Sequence, residues 1–174
     1  MTVRSSSDDN PAAAAIAAAK WPQHIFAAPL LRGLDARGKR ELIDAGALLQ
    51  RNAGEVLYRV GERAECVFVV ASGGVQLRAV VRGQVNEREL REVGPADSFG
   101  EEAYAGAARC TDARVIKKSV IAKLPVSMLR RTLTRAGGGE VAQRIERRLQ
   151  RRASAELLGT AAFANELAID DIEL

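Results

Sequence analysis

The chain has 174 residues, of which 47% are hydrophobic and 28% are charged, and its formal net charge is +4. This length and composition suit one folded domain with short appendages and exclude global disorder. Two cysteines and one histidine give no disulfide framework and no His-rich metal site, and they weaken any Ser-His-Asp or Cys-His catalytic scheme. We therefore expect a protein that is not an enzyme and that holds neither a metal nor a cofactor.

The N-terminal part predicts a flexible leader over residues 1–20 and a helical region over residues 21–45. Asp35 is predicted to cap a helix that runs through Leu42, and Gly46 is predicted to end it. No apolar run approaches the roughly 20 residues that a bilayer span requires. We therefore expect a cytoplasmic protein without a membrane span.

The middle of the chain predicts short β-strands separated by glycines. Residues 66–71 form a continuous apolar run, which is typical of a strand buried on both faces. The predicted strands cover residues 56–60, 66–71, 75–80, 85–93, 114–116 and 120–124. A turn at residues 82–84 separates two of them. Several short strands with regular glycine turns favour a barrel or a sandwich.

The C-terminal part predicts two helices. Pro125 suits the first turn of one helix, the three glycines at 137–139 predict a hinge, and a second helix covers residues 140–158. The segment 160–174 is an acidic tail. The predicted domain therefore covers residues 21–159, between the leader and this tail.

Arginines crowd these two helices. They are Arg130, Arg131, Arg135, Arg144, Arg147, Arg148, Arg151 and Arg152. One interpretation is a docking face for nucleic acid, an anionic membrane or an acidic partner. The other, which we favour, is a solvated helix face. DNA binding is not expected, because a helix-turn-helix domain needs roughly 60 more residues after the barrel.

The stretch between residues 93 and 111 carries the candidate chemistry. Gly100 allows the backbone to approach a ligand closely, and Glu101 offers a carboxylate to a ribose hydroxyl. Arg109 presents a planar fork of donors that suits a phosphate. Taken alone, this spacing favours an ion pair at the surface.

This stretch resembles the phosphate-binding cassette of the cyclic-nucleotide-binding domain family. In that family Phe-Gly-Glu precedes a small residue and, later, an Arg followed by small residues. The matching residues are Phe99, Gly100, Glu101, Ala103, Arg109, Cys110 and Thr111. Residues 54–62 and 67–75 also resemble glycine turns and strands of the family. The similarity covers about residues 25–150 and extends to the sensor domain of bacterial cAMP-responsive regulators.

The resemblance implies a mainly β fold with flanking helices, namely a double-stranded β-helix or jelly-roll-like β-roll of eight antiparallel strands. It implies that Glu101 holds the ribose 2′-hydroxyl, that Gly100 makes a backbone contact to the ribose, and that Arg109 pairs with the cyclic phosphate. Ala103 and Cys110 would offer backbone N–H groups to that phosphate. The helix over residues 140–158 would act as a lid.

The implied ligand is cAMP, with cGMP as the less favoured candidate. In some cGMP-preferring relatives a hydroxyl directly follows the Arg, whereas here Cys110 follows Arg109 and Thr111 comes one step later. The predicted function is a stand-alone sensor that signals to an unidentified effector protein by movement of its C-terminal helix. The same helix would offer a contact for a homodimer.

Departures from the family pattern support an alternative, a degenerate domain that binds no nucleotide and acts as a protein interaction module. Glu102 places a second acid beside the phosphate site, where the family usually has an apolar residue. Ala108 stands where a Pro often precedes the Arg, and Asp112 adds a further acid. The segment between Glu101 and Arg109 also looks one residue short.

Overall fold

The computed structural model describes residues 21–80 and 87–135, with six further positions between 143 and 158. Four predicted features therefore lie outside the described residues: the leader over 1–20, the turn over 82–84, the hinge over 137–139 and the tail over 160–174. The predicted helix over 140–158 is described at six positions only. These are helical and exposed: Gln143, Arg147, Gln150, Arg151, Ser154 and Leu158.

The helical region predicted over residues 21–45 is interrupted. A short 3-10 helix covers Gln23–Ala27, and an α-helix, α1, covers Ala36–Ala45. Gly33 between them has a φ of 94°, a left-handed conformation that a right-handed helix does not continue through. The predicted helical region therefore consists of two helices, the second of which begins after Asp35 as predicted.

The predicted ends of α1 are confirmed. The Asp35 side chain accepts a hydrogen bond of 2.7 Å from the Gly38 N–H, which satisfies one of the amides left over at a helix start. At the other end, the Gly46 N–H donates to the Leu42 carbonyl. A second α-helix, α2, covers Val126–Arg135 and begins directly after Pro125, close to the predicted position.

The described residues form one antiparallel sheet of six strands. Its strands are β1 (Ala47–Arg51), β2 (Val56–Tyr58), β3 (Cys66–Val80), β4 (Glu87–Val93), β5 (Ser98–Phe99) and β6 (Asp112–Pro125). The order is β1-β6-β3-β4, with β2 also paired to β6 and β5 to β3. The fold is therefore mainly antiparallel β with flanking helices, as the sequence predicts.

The family resemblance implies eight strands, and the structure describes six. In two places, two consecutive predicted strands form one long strand. Residues 66–71 and 75–80 both belong to β3, and residues 114–116 and 120–124 both belong to β6. The register between β3 and β6 shifts near Ser72 and Gly74. Such bulges bend a strand without ending it, so one strand serves two parts of the roll.

Two apolar clusters lie on opposite faces of β3. Val67 and Val69 pack towards the helices, with Leu42 and Leu129, while Phe68 and Val70 face the interior of the roll. This alternation confirms that the segment 66–71 is buried on both faces. The interior cluster also contains Tyr58, Val75, Leu77, Val93, Phe99, Val115 and Ile121.

The single histidine has a structural contact. His24 lies in the 3-10 helix, and its Nε2 is 2.8 Å from the Ala71 carbonyl oxygen. The described helices include none long and apolar enough to cross a bilayer.

Candidate functional site

The cassette, defined as residues 99–111, begins at a fixed point in the core. Phe99 is completely buried and pairs with Phe68 across β5 and β3. Gly100 follows with a left-handed φ of 78° and turns the chain into a 3-10 turn over Glu101–Ala103. A Cβ at position 100 would lie 2.6 Å from Nη1 of Arg109. Glycine is therefore required both by the backbone angle and by the approach of the guanidinium.

Glu101 is fully buried at the start of this turn. Its Oε1 accepts a hydrogen bond of 2.6 Å from the Ser98 hydroxyl. The Ser98 carbonyl in turn accepts a hydrogen bond of 2.9 Å from Nη2 of Arg91. Buried carboxylates need such partners because their desolvation is costly. The Glu101 carboxylate, which is predicted to hold a ribose hydroxyl, is thus held in place by Ser98 of the preceding strand β5.

Arg109 lies at the other end of the cassette, with its side chain in the roll. Its backbone N–H donates to the Glu62 carbonyl at 2.9 Å, and its carbonyl accepts from the Gly61 N–H at 2.8 Å. The guanidinium carbon lies 4.1 Å from the ring centre of Tyr58 and 5.4 Å from that of Phe68. Only 4% of the residue is exposed. Stacking on aromatic rings stabilises a cation in this setting.

The guanidinium donates to three acceptors of the protein. Nη1 lies 3.1 Å from the Gly100 carbonyl and 3.0 Å from Oε1 of Glu102, and Nη2 lies 2.7 Å from the Cys66 carbonyl. The ion pair with Glu102 is almost fully buried, with 3% and 0% of the two side chains exposed. Removing one partner of a buried pair costs roughly 3–5 kcal/mol. Arg109, the residue predicted to bind the phosphate, therefore already has a carboxylate as its counter-ion.

The three residues that depart from the family pattern lie in different surroundings. Glu102 lies directly on Arg109, as described above. Asp112 instead accepts a hydrogen bond of 2.7 Å from the Val60 N–H and lies 3.8 Å from Nη1 of Arg59, so it fastens the loop after β2. Ala108 is exposed. Only Glu102 among the three touches the guanidinium.

The remaining predicted ligand residues are Ala103, Cys110 and Thr111. The Ala103 N–H donates to the Gly100 carbonyl at 3.3 Å. Cys110 carries a half-buried thiol. Thr111 is fully buried, and its hydroxyl has no hydrogen-bond partner among the described residues. The structure thus brings Gly100, Glu101, Ala103 and Arg109 together, while Cys110 and Thr111 follow Arg109 along the chain.

Four residues of the site are not predicted from the sequence. Tyr58 and Phe68 form the aromatic platform under Arg109, Cys66 supplies a carbonyl, and Ser98 holds Glu101. The only local signal is for Ser98, which stands three residues before Glu101. Burial raises the pKa of the Cys66 thiol, so this residue contributes a backbone acceptor and an uncharged side chain.

A cleft of about 1080 Å³ lies beside the cassette. Gly61, Cys66 and residues 106–108 line one part of it, and Lys123, Val126 and Arg130 line another. The first group adjoins Arg109 in space or in sequence, although the buried guanidinium does not line the cleft. Among the described residues, no group of three or more His, Cys, Asp or Glu is placed to hold a metal ion.

The cassette also contacts α2. The Arg130 guanidinium carbon lies 4.2 Å from the ring centre of Tyr104, and Nη2 of Arg130 donates to the Tyr104 carbonyl. Tyr104 directly follows the 3-10 turn that carries Glu101 and Glu102. Arg130 therefore connects that turn to α2.

Known proteins resemble parts of this chain. Patatin-like phospholipase domain-containing protein 7 of Mus musculus is 34% identical over 83 residues, which are 47% of this chain and 6% of that protein. The regulatory domain of Toxoplasma gondii PKA, solved with cAMP, is 26% identical with a TM-score of 0.56. That match covers 62% of this chain and 41% of the other. The chain thus matches only a part of these larger proteins.

The fold is shared with a bacterial sensor domain, that of the transcriptional regulator DNR from Pseudomonas aeruginosa. The identity is 19% and the TM-score is 0.64, over 75% of this chain and 91% of the other. The sequence model of the cyclic nucleotide-binding domain matches residues 48–136. This match spans about half of the chain and includes the whole cassette, and the chain belongs to the cyclic nucleotide-binding domain family.

Proposed function

We propose that this chain is a regulatory sensor without catalytic activity of its own, which binds cAMP and, less favourably, cGMP. The observation that carries the proposal is the cassette itself. It holds a buried carboxylate at Glu101 and a buried guanidinium at Arg109 around one glycine turn. A ribose hydroxyl and a cyclic phosphate are the two ligand groups that such a pair suits. The cAMP in the related Toxoplasma gondii regulatory domain supports the choice of ligand.

The geometry supports a role for each side chain. Ser98 fixes one oxygen of Glu101, which orients the carboxylate before a ligand arrives. Arg109 keeps its position through its backbone bonds to Gly61 and Glu62, even when its side-chain partners change. Fixed groups lose little entropy on binding. In the proposed complex, Glu101 binds the ribose and Arg109 binds the phosphate, with Ala103 and Cys110 offering N–H groups to the phosphate.

The proposed output passes through α2 to the segment that follows it. Arg130 joins Tyr104 of the cassette to α2, and this contact supports a coupling of the cassette to the helix. A ligand that binds one position of the cassette better than another shifts the population towards it. We propose that residues 140–158 then move against the rest of the domain and present a face to an effector protein or to a second copy.

Thermal unfolding with and without nucleotides tests this function. A ligand at 100 times its dissociation constant adds roughly 2.7 kcal/mol of stability. We expect cAMP to raise the melting temperature, cGMP to raise it less, and Arg109→Lys to reduce both shifts, because lysine lacks the bidentate fork. Arg63→Lys is the matched control, because Arg63 is 89% exposed in its side chain and lines the cleft without touching the cassette carboxylates.

The second candidate is a domain of the same fold that binds no nucleotide and serves as a protein interaction module. The pairing of Arg109 with Glu102 favours it, since the guanidinium already has an anionic partner. No shift with millimolar cAMP, cGMP or cyclic di-GMP in a cooperatively melting protein would overturn the sensor proposal. That result would establish the module as the better description.

A further inference from the structure

The Arg109 guanidinium is held by several protein acceptors at once. An arginine side chain has five N–H donors. Three hydrogen bonds to described atoms are present, to the Gly100 carbonyl, the Cys66 carbonyl and Oε1 of Glu102. One face of the guanidinium lies over the Tyr58 ring at 4.1 Å. Nη1 makes two of these bonds, to the Gly100 carbonyl and to Glu102, so a phosphate that binds through Nη1 must take over a position that the protein occupies.

Of these three acceptors, Glu102 is the one a phosphate can replace. The two carbonyls belong to the backbone of the β3 start and of the glycine turn, whereas Glu102 contributes the end of a side chain. Glu102 is also the only acceptor of the three that carries a full negative charge. Its Oε2 is buried with no hydrogen-bond partner among the described residues. The carboxylate and a cyclic phosphate are thus both anions that can bind Nη1 of Arg109.

The proposed ribose contact at Glu101 does not compete with the ion pair between Glu102 and Arg109. Glu101 and Glu102 are consecutive, but Glu101 accepts from Ser98 and Glu102 pairs with Arg109. An uncharged nucleoside that keeps its ribose hydroxyls has no phosphate to place against Glu102. The cost of displacing the carboxylate therefore falls on the phosphorylated ligand alone.

We propose that Glu102 is a specificity-determining residue that competes with the ligand's phosphate for Arg109, so that the site discriminates weakly between a cyclic nucleotide and the uncharged nucleoside. This inference rests on the proposed function, because it concerns the same pocket. It identifies the ligand class as a purine nucleoside in which the phosphate contributes little to the affinity. Removing the charge at position 102 turns the site into one that is selective for the phosphate.

Isothermal titration with cAMP and with adenosine tests the proposal in the full chain and in Glu102→Gln. Glutamine keeps the size of the side chain and an oxygen that accepts from Arg109. We expect Glu102→Gln to bind cAMP at least tenfold more tightly than the unaltered chain, and to bind adenosine within twofold of it. Glu65→Gln is the matched control, since it removes the same charge from an exposed residue of the cleft, and it should change cAMP binding less than twofold.

The unaltered chain gives a second readout that needs no variant. We expect its dissociation constants for cAMP and adenosine to differ by less than tenfold. A preference for cAMP above a hundredfold would overturn the inference and leave the sensor proposal standing. The inference also fails, with the sensor proposal intact, if Glu102→Gln, folded by its melting curve, binds cAMP no better than the unaltered chain. Absence of binding by both ligands to both folded proteins would overturn the sensor proposal together with the inference.

Discussion

Glu101 and Glu102 are adjacent residues with the same side chain, yet the fold uses them differently. Both are fully buried in the 3-10 turn. Consecutive side chains of such a turn point in directions about 120° apart, so Glu101 reaches the Ser98 hydroxyl and Glu102 reaches the Arg109 guanidinium. One carboxylate is thus held by a neutral donor and the other by a cation. Glu101 is the carboxylate that the proposed function assigns to the ribose, whereas Glu102 is already paired within the protein.

Replacing Ser98 by alanine should expose how far Glu101 depends on its neighbour. The hydroxyl donates to a buried carboxylate at 2.6 Å, and hydrogen bonds to charged groups contribute roughly 1.5–3 kcal/mol. We expect Ser98→Ala to lower the free energy of unfolding by that amount in urea denaturation at pH 7. Ser72→Ala removes the same hydroxyl from an exposed position of β3 and should change stability by less than about 0.5 kcal/mol. Equal effects of the two changes would contradict the assignment.

At the scale of elements, the bend in β3 depends on one glycine. Gly73 has a φ of 93°, and a Cβ there would lie 2.1 Å from Oγ of Ser119 and 2.6 Å from the Lys118 carbonyl. Ser119 in turn accepts a hydrogen bond from the Gly74 N–H at 2.9 Å. The close approach of β3 to β6 at this point leaves no room for a side chain. The long strand therefore bends at a position that only glycine can occupy without displacing β6.

Gly54 provides a matched comparison for this bend. It has a φ of 90°, but a Cβ there would meet no atom within 4 Å. Alanine at either position adopts the left-handed backbone at a cost of about 1–2 kcal/mol, and overpacking adds about 1–3 kcal/mol at position 73 alone. We expect Gly73→Ala to destabilise the protein by that further amount relative to Gly54→Ala in denaturant melts. Similar losses for the two variants would show that the strands part freely at the bend.

Elements with a local signal are those that the sequence predicts well. Asp35, Gly46 and Pro125 mark helix ends because capping acts within a few residues. The strands β1 and β5 are missed, since β1 lacks a clear alternation and β5 has two residues, and both are defined by their partners. The cassette is found by its resemblance to a family. The ion pair inside the cassette is not predicted from the sequence, because Glu102 and Arg109 come into contact only in the folded turn.

At the scale of the whole molecule, a pair of charges joins the two helical ends of the domain. Glu41 of α1 and Arg135 of α2 are 94 positions apart in the chain and form an ion pair. Arg37 also lies 3.3 Å from the same carboxylate. The hydrogen bond and the charge of Arg135 hold the pKa of Glu41 below its ordinary value of 4.5. The carboxylate is therefore better ionised in the folded state than in the unfolded one.

This shift makes the contribution of the pair depend on pH in a definite direction. A carboxyl whose pKa is lowered on folding stabilises the protein above its unfolded pKa, and that stability is lost as the pH falls through the folded pKa. We expect Glu41→Gln to lower the melting temperature at pH 7, and the difference from the unaltered chain to shrink progressively below pH 4.5. Calorimetric melts between about pH 7 and pH 3 measure it. If the difference in melting temperature between Glu41→Gln and the unaltered chain grows on acidification, the ion pair does not stabilise the folded state in this way.

The central position of β6 has a consequence for how the protein is made. This strand pairs with β1, β2 and β3, and its partner residues lie far away in sequence, as Ala47 with Lys123 and Cys66 with Pro125. A ribosome adds about 5–20 residues per second, so β3 emerges on the order of seconds before β6. Until then the apolar residues Val67 and Val69 have no closing strand, and closure is a slow, non-local step. The nascent chain therefore exposes an unpaired apolar strand during the interval in which β3 has been synthesised and β6 has not.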